Sequence, residues 1–163
     1  HCSATVLLIF KMIHFPSGFH KFTKSSSQHL KTWILNEVKR EGKSIDRISI
    51  TVHTDDELRQ INKSFLNHDY YTDIITFDYS QGKIISGELL ISQDRVIENA
   101  SSYSSSTATE WNRVIIHGVL HLCGYKDSNK SQQDRMRLRE NKALKRFELK
   151  GLNQSKSKSP ARS

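Results

Sequence analysis

From residue 117 the chain reads His117-Gly118-Val119-Leu120-His121-Leu122-Cys123-Gly124-Tyr125-Lys126-Asp127, with the spacing H-x-x-x-H-x-x-G-x-x-D. Two histidines four residues apart on a helix share one face, about 6 Å apart along the axis, so both imidazoles can reach one ion. Gly124 admits a left-handed residue that ends the helix and turns the chain back. Asp127 then becomes the natural third ligand. Three protein ligands leave a coordination position for water, which separates a catalytic zinc site from a closed structural one. An i, i+4 histidine pair by itself is more often a matter of packing or solvent exposure. Here the glycine and the carboxylate of the following turn also need a reason, and a metal supplies it.

The helix that carries the pair is announced by its own sequence. Thr107-Ala108-Thr109-Glu110 reads as a capping box, and Trp111, Val114, Ile115, Val119 and Leu122 form an apolar stripe. A metal helix of this kind could belong to a protease, since in H-E-x-x-H zincins the glutamate after the first histidine is the general base. This chain has Gly118 there. Water must then be activated by the metal alone, by another side chain or by the substrate. A metal is chemically sufficient, because it lowers the pKa of bound water toward about 7. Phosphodiester hydrolysis, in which the reacting phosphate brings anionic oxygens, suits such a site better than peptide hydrolysis does.

Around this segment helical and strand patterns alternate. A strand at Met12 to Phe15 precedes a helix from about Ser27 to Arg40, with Leu30, Trp33, Ile34 and Val38 on one face and Gly42 at its end. A strand at Ile48 to His53 follows, and Thr54-Asp55-Asp56-Glu57 caps a helix through Phe65 with Leu58, Ile61 and Phe65 inward. Ile74 to Tyr79 and Glu88 to Ser92 read as strands joined by a turn around Gln81, Gly82 and Lys83. Ser92 caps a further helix to Ala100, Ser101 to Ser106 is a loop, and a last helix spans about Gln132 to Leu149. Helices on a small mixed sheet make a single α+β domain, and no internal repeat is present.

The stretch Val114 to Asp127 closely resembles the H-G-x-L-H-L-x-G-Y-D-H signature of the bacterial YbeY endoribonucleases, which mature ribosomal RNA. Ile61 to Phe77 is similar to that family's L-N-x-x-x-R-x-x-x-x-x-T-D-V-L-S-F segment, and Gly87-Glu88-Leu89-Leu90-Ile91-Ser92 to its G-D-I-x-I-S strand. In order and spacing these blocks cover roughly residues 12 to 149. The resemblance implies a zincin-like fold with the metal site on a central helix against the sheet. It also implies a metal-dependent endoribonuclease specific for single strands, acting at the 3′ end of small-subunit ribosomal RNA and in ribosome quality control.

The implied cofactor is one zinc ion, or another divalent metal, on His117, His121 and Asp127. The implied partners are ribosomal RNA and the small ribosomal subunit, with room for ribosome-assembly proteins. Two positions depart from the family pattern. Asp127 stands where the third ligand is usually histidine, which adds a negative charge and a harder donor. Leu66 stands where an arginine is usual, and a leucine cannot bind phosphate. Asn67, His68 and Lys63 are the polar groups nearby, so Asn67 and His68 are candidate substrate contacts. Thr72 and Asp73, at the start of the strand beside the metal cleft, are candidates too, although side chains at such a turn also serve backbone groups. No catalytic acid or base is assigned. A zincin-type metallopeptidase and a non-catalytic ribosome assembly factor with a structural metal remain the alternatives.

Composition agrees with a small globular domain: 163 residues, 36% hydrophobic and 26% charged. Cys2 and Cys123 do not suggest a disulfide framework, which is consistent with a reducing cytoplasm. No apolar run approaches the ~20 residues of a membrane span. Residues 1 to 11 read as an extension upstream of the domain at 12 to 150, and residues 151 to 163, almost without apolar side chains, as a disordered basic tail. Half of the +8 formal charge comes from Lys11, Lys156, Lys158 and Arg162, which leaves about +4 for residues 12 to 150. That balance permits attraction to a polyanion without requiring it.

Overall fold

The computed structural model describes Ala4, Leu7, Leu8 and residues 12 to 157, with side chains through Asn153. The expected upstream extension therefore lies mostly outside the described residues. Four strands, β1 (Ile13–His14), β2 (Ser44–His53), β3 (Ile74–Asp78) and β4 (Ile84–Ser92), form one sheet in the order β1-β2-β4-β3. β1 pairs parallel with β2 and β2 parallel with β4, while β3 runs antiparallel on the outer edge of β4. Six helices are described: α1 (His20–Thr23), α2 (Ser27–Arg40), α3 (Asp55–Leu66), α4 (Gln93–Ser102), α5 (Thr107–Leu122) and α6 (Lys130–Ser157). This is a small single-domain α+β fold with a mixed sheet.

Local signals account for most boundaries. Thr54 and Glu57 close the expected capping box on α3, Thr54 Oγ1 accepting from Glu57 N at 3.2 Å and Glu57 Oε2 accepting from Thr54 N at 2.9 Å. Ser92 caps α4. Gly42 and Gly82 take positive φ after α2 and in the β3–β4 turn. β2 starts four residues earlier than its apolar alternation suggests, because a register irregularity between Ile45 and Arg47 lets the charged pair Asp46-Arg47 interrupt the pattern without ending the pairing.

Three expectations are corrected. The cap of α5 is Ser106, one residue earlier than expected, whose side chain accepts from Thr109 N; Glu110 then falls one residue too late to close a box with it, and is buried instead. Phe65 is 73% exposed and Asn62, 2% exposed, takes the inward position on α3. The last helix continues to Ser157, so residues 151 to 157 are not an unstructured tail. A helix already nucleated propagates through polar residues at small cost per residue, even past Gly151. Residues 158 to 163 lie outside the described residues.

The core lies between the sheet and α2 and α5, with Ile48, Leu89, Ile91, Trp111, Ile115 and Val119 fully buried. Cys123 joins it as a free thiol that burial, with Glu41 nearby, pushes up to about 12. α5 lies so near the sheet that a Cβ at Gly87 would stand 2.6 Å from both Leu122 Cδ2 and the backbone oxygen of Phe77. Since that carbonyl belongs to the paired β3 strand, it has little room to move. We expect Gly87→Ala to destabilise the domain by about 1–3 kcal/mol as overpacking does. A urea denaturation midpoint equal to that of the parent chain would show that α5 is not held this close.

Candidate metal centre and RNA cleft

α5 and the turn after it assemble the three donors. His117 Nε2 and His121 Nε2 are 3.0 Å apart, and Asp127 Oδ2 lies 3.4 Å from the first and 3.3 Å from the second. Donors about 2.0–2.1 Å from a tetrahedral zinc would be about 3.3 Å from one another, so this triangle has the size a small tetrahedral ion requires. The group could hold a metal. Gly124, at φ 105, makes the turn that returns Asp127 to the histidines.

Each imidazole is oriented through its other nitrogen. His117 Nδ1 is 2.8 Å from Glu140 Oε2, and His121 Nδ1 is 2.8 Å from the carbonyl oxygen of Tyr125. Both contacts suit an Nδ1–H donor, which leaves the Nε2 lone pairs facing each other and Asp127. Glu140 comes from α6, is only 4% exposed, and also accepts from Arg113 Nη1 at 3.0 Å and Arg137 Nη1 at 3.5 Å. Burial alone would raise the Glu140 carboxyl, but the hydrogen bond and charge of His117, with Arg113, outweigh it and hold it below the usual range. Burial likewise opposes charge on His117, and Glu140, aided by Asp73 and Asp127, more than compensates and raises it. Sequence reading missed Glu140. Its signal was a carboxylate on the same face of α6 as Met136, Ala143 and Leu144, all buried.

The triad opens into a cleft of about 500 Å³ between α5, β3 and the segment after α3. His68, Thr72 and Asp73 line it, as do Asn62, Leu66, Tyr70 and Asp78. Asn67 does not line it; at φ 54 it caps the C-terminus of α3. His68 stacks on Tyr70 with ring centroids 5.3 Å apart, and Tyr70 Oη meets His68 Nδ1 at 3.1 Å. Thr72 Oγ1 donates to the carbonyl of Ile74 at 3.2 Å, the backbone-serving arrangement of a strand start. Asp73 sits beside His117, and burial pushes its carboxyl up against the pull of that histidine. Asn62 is the residue that fixes this wall: its Nδ2 donates to the carbonyl of Tyr70, and its own carbonyl accepts from His68 N.

A family model described as Endoribonuclease YbeY matches residues 13–148. The chain belongs to the YbeY family. It is 45% identical to Endoribonuclease YbeY of Bacteroides thetaiotaomicron over 112 residues, 69% of this chain and 82% of that relative. With the YbeY endoribonuclease of Phocaeicola vulgatus it shares 41% over 133 residues, 82% of this chain and 96% of that relative. The solution structure of TM1509 from Thermotoga maritima superposes with a TM-score of 0.61 at 23% identity, covering 94% of this chain and 99% of that one, and so shares the fold.

Replacing His117 and His121 together by alanine should abolish binding of a divalent metal, whereas Asp127→His should retain it. Glu140→Ala should weaken binding by about 10–100-fold, the usual effect of losing a carboxylate that orients a metal-binding histidine. Metal titration of the folded variants checks this. Near-stoichiometric metal in the double histidine variant would dismiss the site.

Proposed function

We propose that this protein is a metal-dependent endoribonuclease that cuts single-stranded RNA during ribosomal RNA maturation, at the 3′ end of the small-subunit RNA, and in ribosome quality control. The observation that carries this reading is the triangle of His117, His121 and Asp127 donors at the floor of an open cleft, in a chain of the YbeY endoribonuclease family. Relatives named as endoribonucleases support the hydrolase assignment. Zinc is the metal that donors of this kind and spacing favour, with Asp127 as third ligand. When bound it supplies a Lewis acid beside the scissile phosphate.

The chain's own groups do the rest. Glu140 and the Tyr125 carbonyl keep the two imidazoles turned to the cleft. The cleft lining carries the stacked rings of His68 and Tyr70, with Tyr70 at 55% exposure. Exposed rings of this kind stack on unpaired bases and have nothing to offer a paired duplex, which favours single strands. The partners in this reading are ribosomal RNA and the small ribosomal subunit, with ribosome-assembly proteins, in the cytoplasm. Among the described residues no helix is long and apolar enough to cross a membrane.

A peptidase reading would need a general base after the first histidine. A Cβ at Gly118 would stand 2.7 Å from Ile74 Cδ1 and 2.8 Å from Leu89 Cδ2, so position 118 faces the sheet, with no room for a glutamate.

Zinc-loaded protein should cleave a single-stranded RNA and leave casein intact under the same conditions. Chelation should stop cleavage and added zinc restore it. Casein hydrolysis without RNA cleavage would replace this reading with the peptidase; cleavage of neither would leave a non-catalytic assembly factor. Within the cleft, His68→Ala should lower RNA cleavage several-fold with metal content unchanged. Full activity in that variant would remove His68 from the substrate contacts.

A further inference from the structure

The cleft continues past the donor triad. Asp73, His117 and Asp127 form a wall shared by the 500 Å³ space and a second cavity of about 220 Å³ that reaches under α6. The two sides differ in charge. Among the described residues no lysine or arginine lines the larger one, where Leu66 occupies the place of the arginine usual in the family. The smaller one is lined by Arg113 and Arg137.

These two arginines are engaged differently. Arg113 is 21% exposed and bonds Glu140 Oε1 at 3.0 Å, so it is committed to the carboxylate that orients His117. Arg137 is half exposed and touches the same oxygen only at 3.5 Å. Its guanidinium lies over the Tyr103 ring, 5.9 Å from the centroid. Among the described residues Nη1 is the only one of its nitrogens in a hydrogen bond. The ring limits where the head can go and leaves most of its five N–H donors unused.

We propose that Arg137 is the phosphate-binding cation of this cleft, its planar fork taking two oxygens of a backbone phosphate of the RNA strand that crosses the triad. The inference rests on the endoribonuclease reading. It places on α6 the function that Leu66 cannot perform from α3. A guanidinium suits the task because its paired donors match the spacing of phosphate oxygens. The charge around it makes the residue decisive. Asp73, Glu110, Asp127 and Glu140 also line this cavity, so a phosphate entering it without Arg137 would meet carboxylates with Arg113 as the only arginine or lysine left among the described lining residues.

The test compares the zinc-loaded parent chain with Arg137→Ala, Arg137→Lys and Lys39→Ala. Lys39 is an exposed lysine of α2 outside both cavities and controls for general loss of charge. KM and kcat are measured on a single-stranded RNA, metal content on each variant, and salt-dependent affinity on a single-stranded DNA of the same sequence as a non-substrate probe. In Arg137→Ala, KM should rise about tenfold, as expected for a charge-assisted hydrogen bond, with kcat and metal content little changed. The slope of log affinity against log salt should become shallower by about 0.7, one phosphate contact on a single strand. Arg137→Lys should recover part of the affinity, and Lys39→Ala should behave as the parent chain.

An unchanged KM and salt slope in Arg137→Ala would overturn the proposal. So would a fall in metal content and kcat with unchanged probe affinity, which would assign Arg137 to holding Glu140. Should the parent chain fail to cut RNA, the endoribonuclease reading falls by itself. The probe measurement still decides the phosphate contact, which stands if only the Arg137 variants lose slope and falls if they do not.

Discussion

The closeness of α5 to the sheet is the constraint on which the rest is built. Two glycines make it possible from opposite sides: Gly87 on β4 leaves room for Leu122, and Gly118 on α5 leaves room for Ile74 and Leu89. With the helix held down along that line, its rotation about its own axis is settled. His117 and His121 then face the outer edge strand, while Ile115, Val119 and Leu122 enter the core. The glycine that excludes a zincin base is thus also a packing element, and the two properties cannot be varied separately.

A second layer of order comes from charges buried between helices. Glu37 and Glu140, at 2% and 4% exposure, are each met by more than one cation: Arg146 and Arg139 for Glu37, Arg113, Arg137 and His117 for Glu140. Ion pairs removed from water contribute little net stability, because desolvation offsets most of their attraction. Their effect is directional. Glu37 joins α2 to α6, and Glu140 joins α6 to the donor helix, so the orientation of an imidazole depends on how α6 docks.

The parts of this arrangement written in consecutive residues were legible in the sequence. The donor spacing, the α3 capping box, the span of α2 and the Gly82 turn all depend on neighbours within a few positions. The parts that were not legible are set by partners far along the chain. Asn62 lies one residue from Ile61, and the pattern on α3 supports either as the inward position; only the loop at Tyr70, which Asn62 holds, decides between them. Glu140 gave no local sign of its role because its partner, His117, is 23 residues away. The Ser106 cap was obscured by a run of serines and threonines in which several residues could have served.

The docking of α6 also sets an order of events. Trp33 Nε1 donates to the carbonyl of Ala143 at 2.9 Å across 110 residues, and Glu37 bonds Arg146 across 109. Contacts of such separation form late, after the intervening chain has been closed into a loop. During synthesis from the N-terminus, both donor histidines are present before the helix that orients one of them exists. A growing chain therefore holds both histidines before it holds the carboxylate that orients His117, and the centre is completed only once α6 has docked.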